Sequence, residues 1–583
     1  MQHSVVPPHL RKFVVRQDYE QYTEEDQAVW RFVVMQTHAR LLDTAHGAYR
    51  SGFAATGIQV DRIPRIEDVD AGLSRFGWRA VCVDGFVPPR AFQEFQAAGI
   101  LPIAADIRTS RHLTYTPAPD IIHEAAGHAP FLAEPHFARY LRRIGEVART
   151  AFGRPADGRV YDAIYLLSEV KENPASTPFE VAAAERALER ERAAAAGFVS
   201  ESARIARLYW WTAEYGLVGT PTDYRLYGAG LLSSIGEAFF LRLPEVRKVP
   251  LSAACVDVDY DITRAQPQLF VARSLSQLDE VLDEVSGTLA CRKGGAAALR
   301  EALASEDLAT LVLDSGAEVV GTVSRIHEQG GRVEFVELRG PVAVARAGAC
   351  LEDMPRVSSL VLPLGNLEDG TPLSALSPDA VGRHVDSRGI LRLSLSSGAS
   401  VSGRLLAVAP SREGRVFVVL LADVEIRRGE AVTFRHAGPC PLALGERVVT
   451  ARAGAASGFF EPTAPPETTV PKPRTFDPEQ RELQSLYVRA LAALRSPGGG
   501  AVRAEFRAIA DRLDVAFPDE WLLRWNLLES LVKLGERSDL VARLESDLER
   551  LELRFDRREP IATGLEYVRS LTGGGRPPLS HAG

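Results

Sequence analysis

The chain has 583 residues, of which 46% are hydrophobic and 25% charged, and its formal net charge is -8. A single hydrophobic core rarely grows beyond about 300 residues, so this length predicts three or four domains. The acidic balance argues against a general nucleic-acid binder, which is normally basic, and no apolar run is long enough to suggest a membrane span.

The cysteines and the N-terminus predict a cytoplasmic protein. The N-terminus lacks a charged region followed by an apolar core, so no signal peptide is expected. The cysteines are odd in number and scattered without CxxC spacing, which is typical of reduced thiols rather than of a disulfide framework or a zinc ribbon. They are Cys82, Cys255, Cys291, Cys350 and Cys440.

The first hundred residues predict a mixture of helices and short strands. Apolar residues recur at mostly helical spacing over 18–52, which indicates one or two amphipathic helices. Residues 79–83 form an extended run that a turn at 84–85 closes. The double proline at 88–89 predicts that a helix begins there and continues over 90–98, because proline suits a first helical turn.

Residues 119–128, with the sequence PDIIHEAAGH, have the composition of a metal site. His123 and His128 stand with Asp120 and Glu124 in a segment that is otherwise apolar and small. Histidine with carboxylate is the ligand set of a borderline divalent ion such as zinc or ferrous iron. An ordinary structural role for the two histidines is the plain alternative.

A zinc-protease site is a second alternative, since the HExxH motif places its histidines four residues apart with glutamate as the base. Here His123 and His128 are five apart. At about 100° per residue, this spacing turns the second ring roughly 140° away on a straight helix. Both rings can reach one ion only if an end of the segment departs from regular helix.

A third ligand is predicted in residues 208–217, LYWWTAEYGL. Glu214 lies in a strongly aromatic helical run, where an unpaired buried acid would be costly. A metal would offset that cost. The segment that follows at 227–237, YGAGLLSSIGE, offers small residues for close backbone approach, and Glu237 is available to orient a base or a cation.

These segments, together with Arg108 and residues 115–120, resemble the pterin-dependent aromatic amino acid hydroxylases, most closely the members that act on phenylalanine. The resemblance covers roughly residues 10–285. It implies that His123, His128 and Glu214 form the two-histidine, one-carboxylate triad of a non-haem Fe(II), which leaves open positions for dioxygen.

The resemblance also implies a cofactor site. Ring hydroxylation with dioxygen needs a metal and a two-electron donor, and in this family the donor is tetrahydrobiopterin or a related tetrahydropterin. Glu124 is implied to act beside the pterin and the metal-bound water, and Asp120 to fix an imidazole from behind. Animal members have a histidine at the pterin where this chain has Pro102. The implied pterin contacts are Gly85, Val87, Phe92, Glu124, Ala206 and Tyr209.

For the amino acid, the resemblance implies that Arg108 binds the substrate carboxylate, since a guanidinium offers planar two-point binding. Thr116 and Ser233 are implied donors, and Glu237 is implied to hold the guanidinium. Trp210 is the implied aromatic wall.

Ile262 stands where tyrosine-specific members carry aspartate, which favours phenylalanine as substrate and L-tyrosine as product. Hydroxylation of tryptophan or tyrosine, or at the meta carbon of phenylalanine, stays open. A zinc-dependent hydrolase and a non-catalytic scaffold are the alternatives from other classes.

The rest of the chain predicts further modules. Helical signals fill 134–207, with a solvated helix around 181–192, and this stretch is several tens of residues longer than in the family. Alternating β-branched residues and glycine mark 305–455, where SGAEVVG at 315–321 recurs as SGASVSG at 397–403. A proline-rich linker and a bundle of about four helices follow.

The predicted fold is therefore multidomain: a mainly α catalytic domain of the aromatic amino acid hydroxylase type, a duplicated all-β barrel-like module and a C-terminal α-helical bundle. We expect the catalytic part to fold independently, and the C-terminal half to be a candidate surface for a homo-oligomer. The predicted boundaries are 1–290 with a helical insertion around 150–200, 305–455, a linker over 456–476, 477–575 and a tail over 576–583.

Overall fold

The computed structural model describes residues 6–41, 44–85, 87–110, 112–113, 119–172, 176–262, 265–410, 414–460, 476–495, 499–553 and 558–572. Within them all five cysteines are free thiols, as expected. No helix among these ranges has both the length and the apolar character needed to cross a membrane. The predicted proline-rich linker at 461–473 and the tail lie outside the described residues.

The part of the chain up to residue 305 is mainly helical. Prolines open several of its helices, since their fixed φ suits a first turn. Two π-helical segments, Ile122–His128 and Trp210–Glu214, interrupt the α-helices. The α-helices are α1 Glu24–Leu41, α2 Gly47–Ala55, α3 Ile66–Ser74, α4 Pro89–Ala97, α5 Ala129–Phe131, α6 Pro135–Ala148, α7 Pro155–Glu172, α8 Pro178–Ala195, α9 Glu201–Tyr209, α10 Ala229–Leu232, α11 Ile235–Phe240, α12 Ser276–Gly287, α13 Ala290–Lys293 and α14 Gly295–Ser305.

Two small sheets lie among these helices. Strands β1 (Arg79–Val83) and β2 (Ile100–Ala104) pair in parallel, so their carboxyl ends lie at the same edge. The loops that leave this edge carry the predicted pterin segment and Arg108. The second sheet has the order β4-β3-β6-β5 and contains β3 Leu217–Thr220, β4 Asp223–Leu226, β5 Arg247–Pro250 and β6 Gln268–Ala272.

The predicted β region forms two antiparallel sheets over a separate hydrophobic core. The repeated SGA segments begin equivalent turns, at Gly316 (φ 82°) and Gly398 (φ 78°), where left-handed backbone favours glycine. The strands pair as open sheets, so the structure does not confirm the barrel form that was predicted. The elements are β7 Leu308–Leu313, β8 Ala317–Gln329, β9 Arg332–Arg346, β10 Ala349–Cys350, β11 Val357–Pro363, α15 Pro378–Arg383, β12 Ile390–Ser394, β13 Ala399–Pro410, β14 Val416–Arg428, β15 Ala431–Ala443 and β16 Val448–Ala453.

The C-terminal segment has five described helices rather than four, and the first is opened by a capping box between Asp477 and Gln480. Their apolar faces join the core of the mainly helical part in one continuous cluster. The helices are α16 Pro478–Leu494, α17 Gly499–Ala516, α18 Leu522–Lys533, α19 Asp539–Glu552 and α20 Arg558–Thr572.

Helix α1 is where this segment docks. The ring of Phe32 lies edge-on to Trp521 and Trp525, with centroids 5.1 and 4.7 Å away. Beside it the Arg31 guanidinium pairs at 2.9 Å with Glu529, whose side chain is fully buried. This shared core argues against the independent folding expected of residues 1–290, because removing α16–α20 would expose the apolar face of α1.

Substitution of Phe32 by alanine tests this docking. Phe32 is fully buried, and truncating a buried phenylalanine costs about 3–5 kcal/mol. We expect the first unfolding transition in urea to move to a lower urea concentration. Loss of the fluorescence signal of the C-terminal Trp521 and Trp525 should accompany that transition. Phe179, which is 76% exposed, is the control: Phe179→Ala should leave the transition in place. An unchanged urea transition in Phe32→Ala would show that the interface between α1 and the C-terminal helices contributes little to the free energy of unfolding.

Candidate active site

The histidine pair lies in the π-helical segment. A π-helix has i→i+5 hydrogen bonds, so residues five apart lie one turn apart on the same face. The backbone N–H of Ala129 donates to the Glu124 carbonyl in this pattern. The rings of His123 and His128 consequently approach to 5.1 Å between centroids. The expected departure from regular helix is therefore present, and it spans the whole motif.

Glu214 is presented by the second π-helical segment, which ends where the Tyr215 N–H donates to the Trp210 carbonyl at 2.9 Å. Its carboxylate lies 3.1 Å from Nε2 of His123 and 3.0 Å from Nε2 of His128. The three candidate ligand atoms all lie within 4.8 Å of one another. This spacing suits a single divalent ion bound on one side by the protein.

Glycines allow this close assembly. A Cβ on Gly228 would stand 2.3 Å from the Glu214 carbonyl oxygen, and one on Gly127 would stand 2.8 Å from the carbonyl oxygen of Ala229. Both distances are below any normal carbon–oxygen contact, so a larger residue would push the segment 227–237 away from both π-helices. The small residues noted in that segment thus let the ligand-bearing backbones approach each other.

Ser233 fixes the orientation of one imidazole. Its hydroxyl donates to the Ala229 carbonyl at 2.7 Å and lies 3.0 Å from Nδ1 of His123. The hydroxyl oxygen is then left to accept from Nδ1–H, which keeps the Nε2 lone pair free for a metal. Ser233 therefore contacts the candidate ligand His123, and its role as a donor to the substrate stays a prediction.

The electrostatics of the group are those of an anionic ligand set. Burial alone would raise the pKa of Glu214, but the two imidazoles hold it well below its usual range. Burial raises the pKa of Glu124 to about 7. One oxygen of Glu124 is buried with no hydrogen-bond partner among the described residues and lies 4.0 Å from Nε2 of His128. Such an orphaned oxygen beside the ligands fits a site that holds a metal and a polar cofactor.

Arg108 is held by Asp120, not by Glu237 as predicted. Nε and Nη2 donate to the two Asp120 oxygens, each at 2.8 Å, and Nη1 donates to the Ser233 carbonyl at 3.3 Å. Arg108 as a whole residue is 2% exposed. Three N–H groups of Arg108 are thus used inside the protein, out of the five that a guanidinium offers.

Asp120 also differs from its predicted contact with an imidazole ring. It accepts from the backbone N–H of His123 at 3.0 Å, so it fixes the start of the π-helix and the guanidinium at once. Burial would raise the pKa of Asp120, but Arg108 lowers it. Glu237 instead faces the hydroxyl of Tyr215 at 3.5 Å, and burial raises its pKa to about 7. Thr116 lies outside the described residues.

Two of the predicted pterin residues, Phe92 and Tyr209, lie next to His128. Phe92, on α4, lies 6.3 Å between centroids from both His128 and Tyr209. The Tyr209 hydroxyl accepts from Gln96 Nε2 at 2.6 Å, and Ala206 precedes it by about one turn of α9. Gly85, with φ 59°, and Val87 are half-buried in the loop between β1 and α4. Pro102 pairs with Val81 in the sheet behind this loop.

The predicted aromatic wall is already packed against tyrosines. The indole of Trp210 stacks on Tyr260 at 4.4 Å and 12°, and lies 4.6 Å from Tyr215. Both tyrosine rings therefore pack on the Trp210 indole. Ile262 follows Tyr260 in the same loop and is half-buried.

Sequence reasoning missed Tyr215, Tyr260 and Gln266 as parts of this wall. Gln266 accepts from Trp210 Nε1 at 3.4 Å and donates to the Asp261 carbonyl at 2.9 Å. The only sequence signal was their position, directly after Glu214 or inside the segment 260–267. No periodicity distinguishes these residues from ordinary loop residues.

The pH dependence of metal binding provides a test of the triad. Burial would lower the pKa of His123, but Glu214 raises it to about 9. Below that pH a proton must leave His123 before Nε2 can bind an ion, so affinity should rise about tenfold per pH unit between about pH 7 and 8. Titration of the metal-free protein with Co(II) against a chelator of known pH dependence measures this. An affinity that does not change over that range would contradict the assignment of His123.

Comparisons with known proteins agree with the order of these segments. Residues 16–155 and 193–293 match the family model described as biopterin-dependent aromatic amino acid hydroxylase. The phenylalanine-4-hydroxylase of Mesorhizobium japonicum is 30% identical over 272 residues, which cover 46% of this chain and 81% of that protein.

A second relative and a solved structure are similar to the same half of the chain. The phenylalanine-4-hydroxylase of Caulobacter vibrioides is 30% identical over 283 residues, covering 47% of this chain and 80% of that protein. A crystal structure of Chromobacterium violaceum phenylalanine hydroxylase with iron(III) and 7,8-dihydrobiopterin is 25% identical, covers 48% of this chain and 86% of that one, and has a TM-score of 0.36. On the family match and the shared sequence, this chain belongs to the biopterin-dependent aromatic amino acid hydroxylases.

Proposed function

We propose that this chain hydroxylates the aromatic ring of L-phenylalanine to L-tyrosine, with dioxygen, Fe(II) and a tetrahydropterin. The observation that carries the proposal is the convergence of His123, His128 and Glu214, whose ligand atoms lie within 4.8 Å of one another. Two neutral imidazoles and one carboxylate suit ferrous iron and leave coordination positions for other ligands. Family membership and the names of the two curated relatives support phenylalanine and the para position.

The residues around the triad divide the remaining work. Bound iron would activate dioxygen and the pterin would supply two electrons, so that one oxygen atom enters the ring and the other is reduced to the level of water. Glu124, with a pKa of about 7, can hold or release a proton near neutral pH beside the cofactor. Phe92 and Tyr209 offer aromatic surfaces for a flat heterocycle, and Gly85 and Val87 offer backbone groups.

Substrate binding is proposed to centre on Arg108. Its two remaining N–H groups would grip the amino acid carboxylate, and Asp120 holds the guanidinium in a fixed plane for that contact. Ser233 and Glu237 would act indirectly, through His123 and Tyr215. Trp210 and the side chain of Ile262 would border the ring.

We also propose that the β module is a duplicated structural unit. Its described residues contain no cluster of histidine, cysteine and acids with ligand spacing. Association of two chains through the C-terminal half stays a proposal, and the faces of α16–α20 that pack on α1 are unavailable for it.

Phenylalanine should be used better than tyrosine. Ile262 offers no polar partner to a phenolic hydroxyl, and an apolar pocket rejects an added hydroxyl by up to about a hundredfold. We expect kcat/KM for phenylalanine to exceed that for tyrosine by about ten- to a hundredfold. Ile262→Asp should narrow this ratio, whereas Ile262→Val, which keeps the side chain apolar, should preserve it. Equal use of both amino acids by the unaltered protein would contradict the reading of this loop.

The direct test combines the full-length protein with Fe(II), a tetrahydropterin and each aromatic amino acid, with the product identified by chromatography. Tyrosine formed from phenylalanine, coupled to pterin oxidation, is the expected result. Formation of the meta isomer would show the same reaction class with hydroxylation at a different ring carbon. Activity that requires zinc and no pterin would instead favour a hydrolase.

A further inference from the structure

The hairpin formed by α7 and α8 lies between the two stretches that match the family, over residues 156–192. It has a small core of its own, made by Ala163, Leu167, Ala184 and Leu188. Its second helix begins with a capping box between Thr177 and Glu180. The hairpin therefore has a core and a helix cap of its own, so its contacts with the rest of the chain can have a role other than stabilising the hairpin.

One such contact reaches the loop that borders the substrate side of the site. Nη1 of Arg192, near the end of α8, lies 3.6 Å from Oδ1 of Asp261. The two side chains are 36% and 22% exposed, so the pair is partly shielded from solvent. Asp261 stands between Tyr260, which stacks on Trp210, and Ile262, which is proposed to border the substrate ring.

Two other described residues of this loop, Val258 and Gln266, bond to the π-helical segment that carries Glu214. Trp211 Nε1 donates to the Val258 carbonyl at 2.9 Å, and Gln266 links the Asp261 carbonyl to Trp210. The position of Asp261 is therefore coupled to the stack of Tyr260 on Trp210. A shift of the Asp261 carboxylate would therefore also shift the aromatic wall formed by Trp210 and Tyr260.

We propose that Arg192 is a positioning residue for the substrate side of the site, through which a hairpin outside the family match helps to set the preference among aromatic amino acids. The inference rests on the proposed function for its kinetic part. Its structural part, the link between α8 and the 258–266 loop, does not depend on any activity.

The test is Arg192→Glu in the full-length protein, which places a like charge beside Asp261. Reversal of a partly exposed pair should raise KM for phenylalanine by about three- to tenfold, with kcat within about twofold, because the wall shifts while the metal ligands do not. The preference for phenylalanine over tryptophan should change as well. Amide hydrogen exchange of the peptide covering 258–266 should speed up in the same variant.

Two further variants separate charge from general damage. Arg190→Glu makes the same charge change on an exposed position of α8 for which the described residues provide no ion pair, and it should match the unaltered protein. The double variant Arg192→Glu, Asp261→Asn removes the repulsion, because asparagine is uncharged and nearly the same size as aspartate. KM and the rate of amide exchange should therefore return most of the way to the values of the unaltered protein.

The outcomes are distinct. If Arg192→Glu matches Arg190→Glu in both exchange and KM, the link does not exist and the proposal is overturned. Faster exchange across the whole chain, or a fall in kcat without recovery in the double variant, would show a merely structural role and would also overturn it. If the unaltered protein does not hydroxylate amino acids, the proposed function fails by itself, and faster exchange confined to 258–266 would still support the link.

Discussion

His128→Ala is expected to abolish hydroxylation and to release the bound iron. His128 is fully buried, and its Nε2 lies 3.0 Å from Glu214 and on the same face of the π-helix as His123. An alanine leaves two ligands for the ion and removes one of the two imidazoles that face the Glu214 carboxylate. Loss of a ligand that the chemistry requires should lower kcat by about a thousandfold or more.

The measurement is iron content by elemental analysis beside the rate of tyrosine formation. His136 provides the matched control, since it is exposed on α6 and contacts Arg139 rather than the triad. His136→Ala should retain iron and activity. A His128→Ala protein with full activity would show that the metal is held elsewhere.

Arg108→Lys is expected to weaken phenylalanine binding strongly. Charge-assisted hydrogen bonds contribute about 1.5–3 kcal/mol each, so loss of one contact to the substrate carboxylate should lower kcat/KM by about ten- to a hundredfold. Lysine cannot replace the fork that pairs with both oxygens of Asp120 and still presents two N–H groups. The effect should appear mainly in KM, because the triad is not altered.

A second arginine offers a close geometric control. Arg79 makes the same two-point contact with Asp70, at 2.7 Å for each bond, at the far end of β1 from the site. Arg79→Lys should break the same type of two-point contact, at a more exposed position, and leave KM for phenylalanine nearly unchanged. If both variants lose activity equally, Arg108 acts on the fold rather than on the substrate.

The local chemistry of the chain could be predicted from sequence alone. The extended run at 79–83 and the helix opened by Pro88 and Pro89 both occur where the pattern placed them. These features depend on neighbouring residues and on intrinsic backbone preferences, which the sequence states directly. The three candidate ligands were also identified by residue type and order, since only a few side chains can bind such an ion.

The partners of buried groups could not be predicted this way. Glu237 was the predicted carboxylate partner of Arg108, but the fold places Asp120 on the guanidinium. Trp210 was identified as a wall, but the fold packs Tyr215 and Tyr260 on its indole. Such choices depend on which distant segments meet in space, and no local periodicity contains that information.

The sequence by itself indicated the candidate ligand residues, the order of the segments and the bounds of a few elements, such as the strand at 79–83. Only the tertiary structure decided that the histidine motif is π-helical and that α16–α20 dock on α1. A π-helix is unfavourable alone and persists where surrounding packing holds it, here against Gly228 and its neighbours. The docking of the last helices depends on Phe32, Trp521 and Trp525 meeting across almost five hundred residues, and burial of that apolar surface exists only in the folded chain.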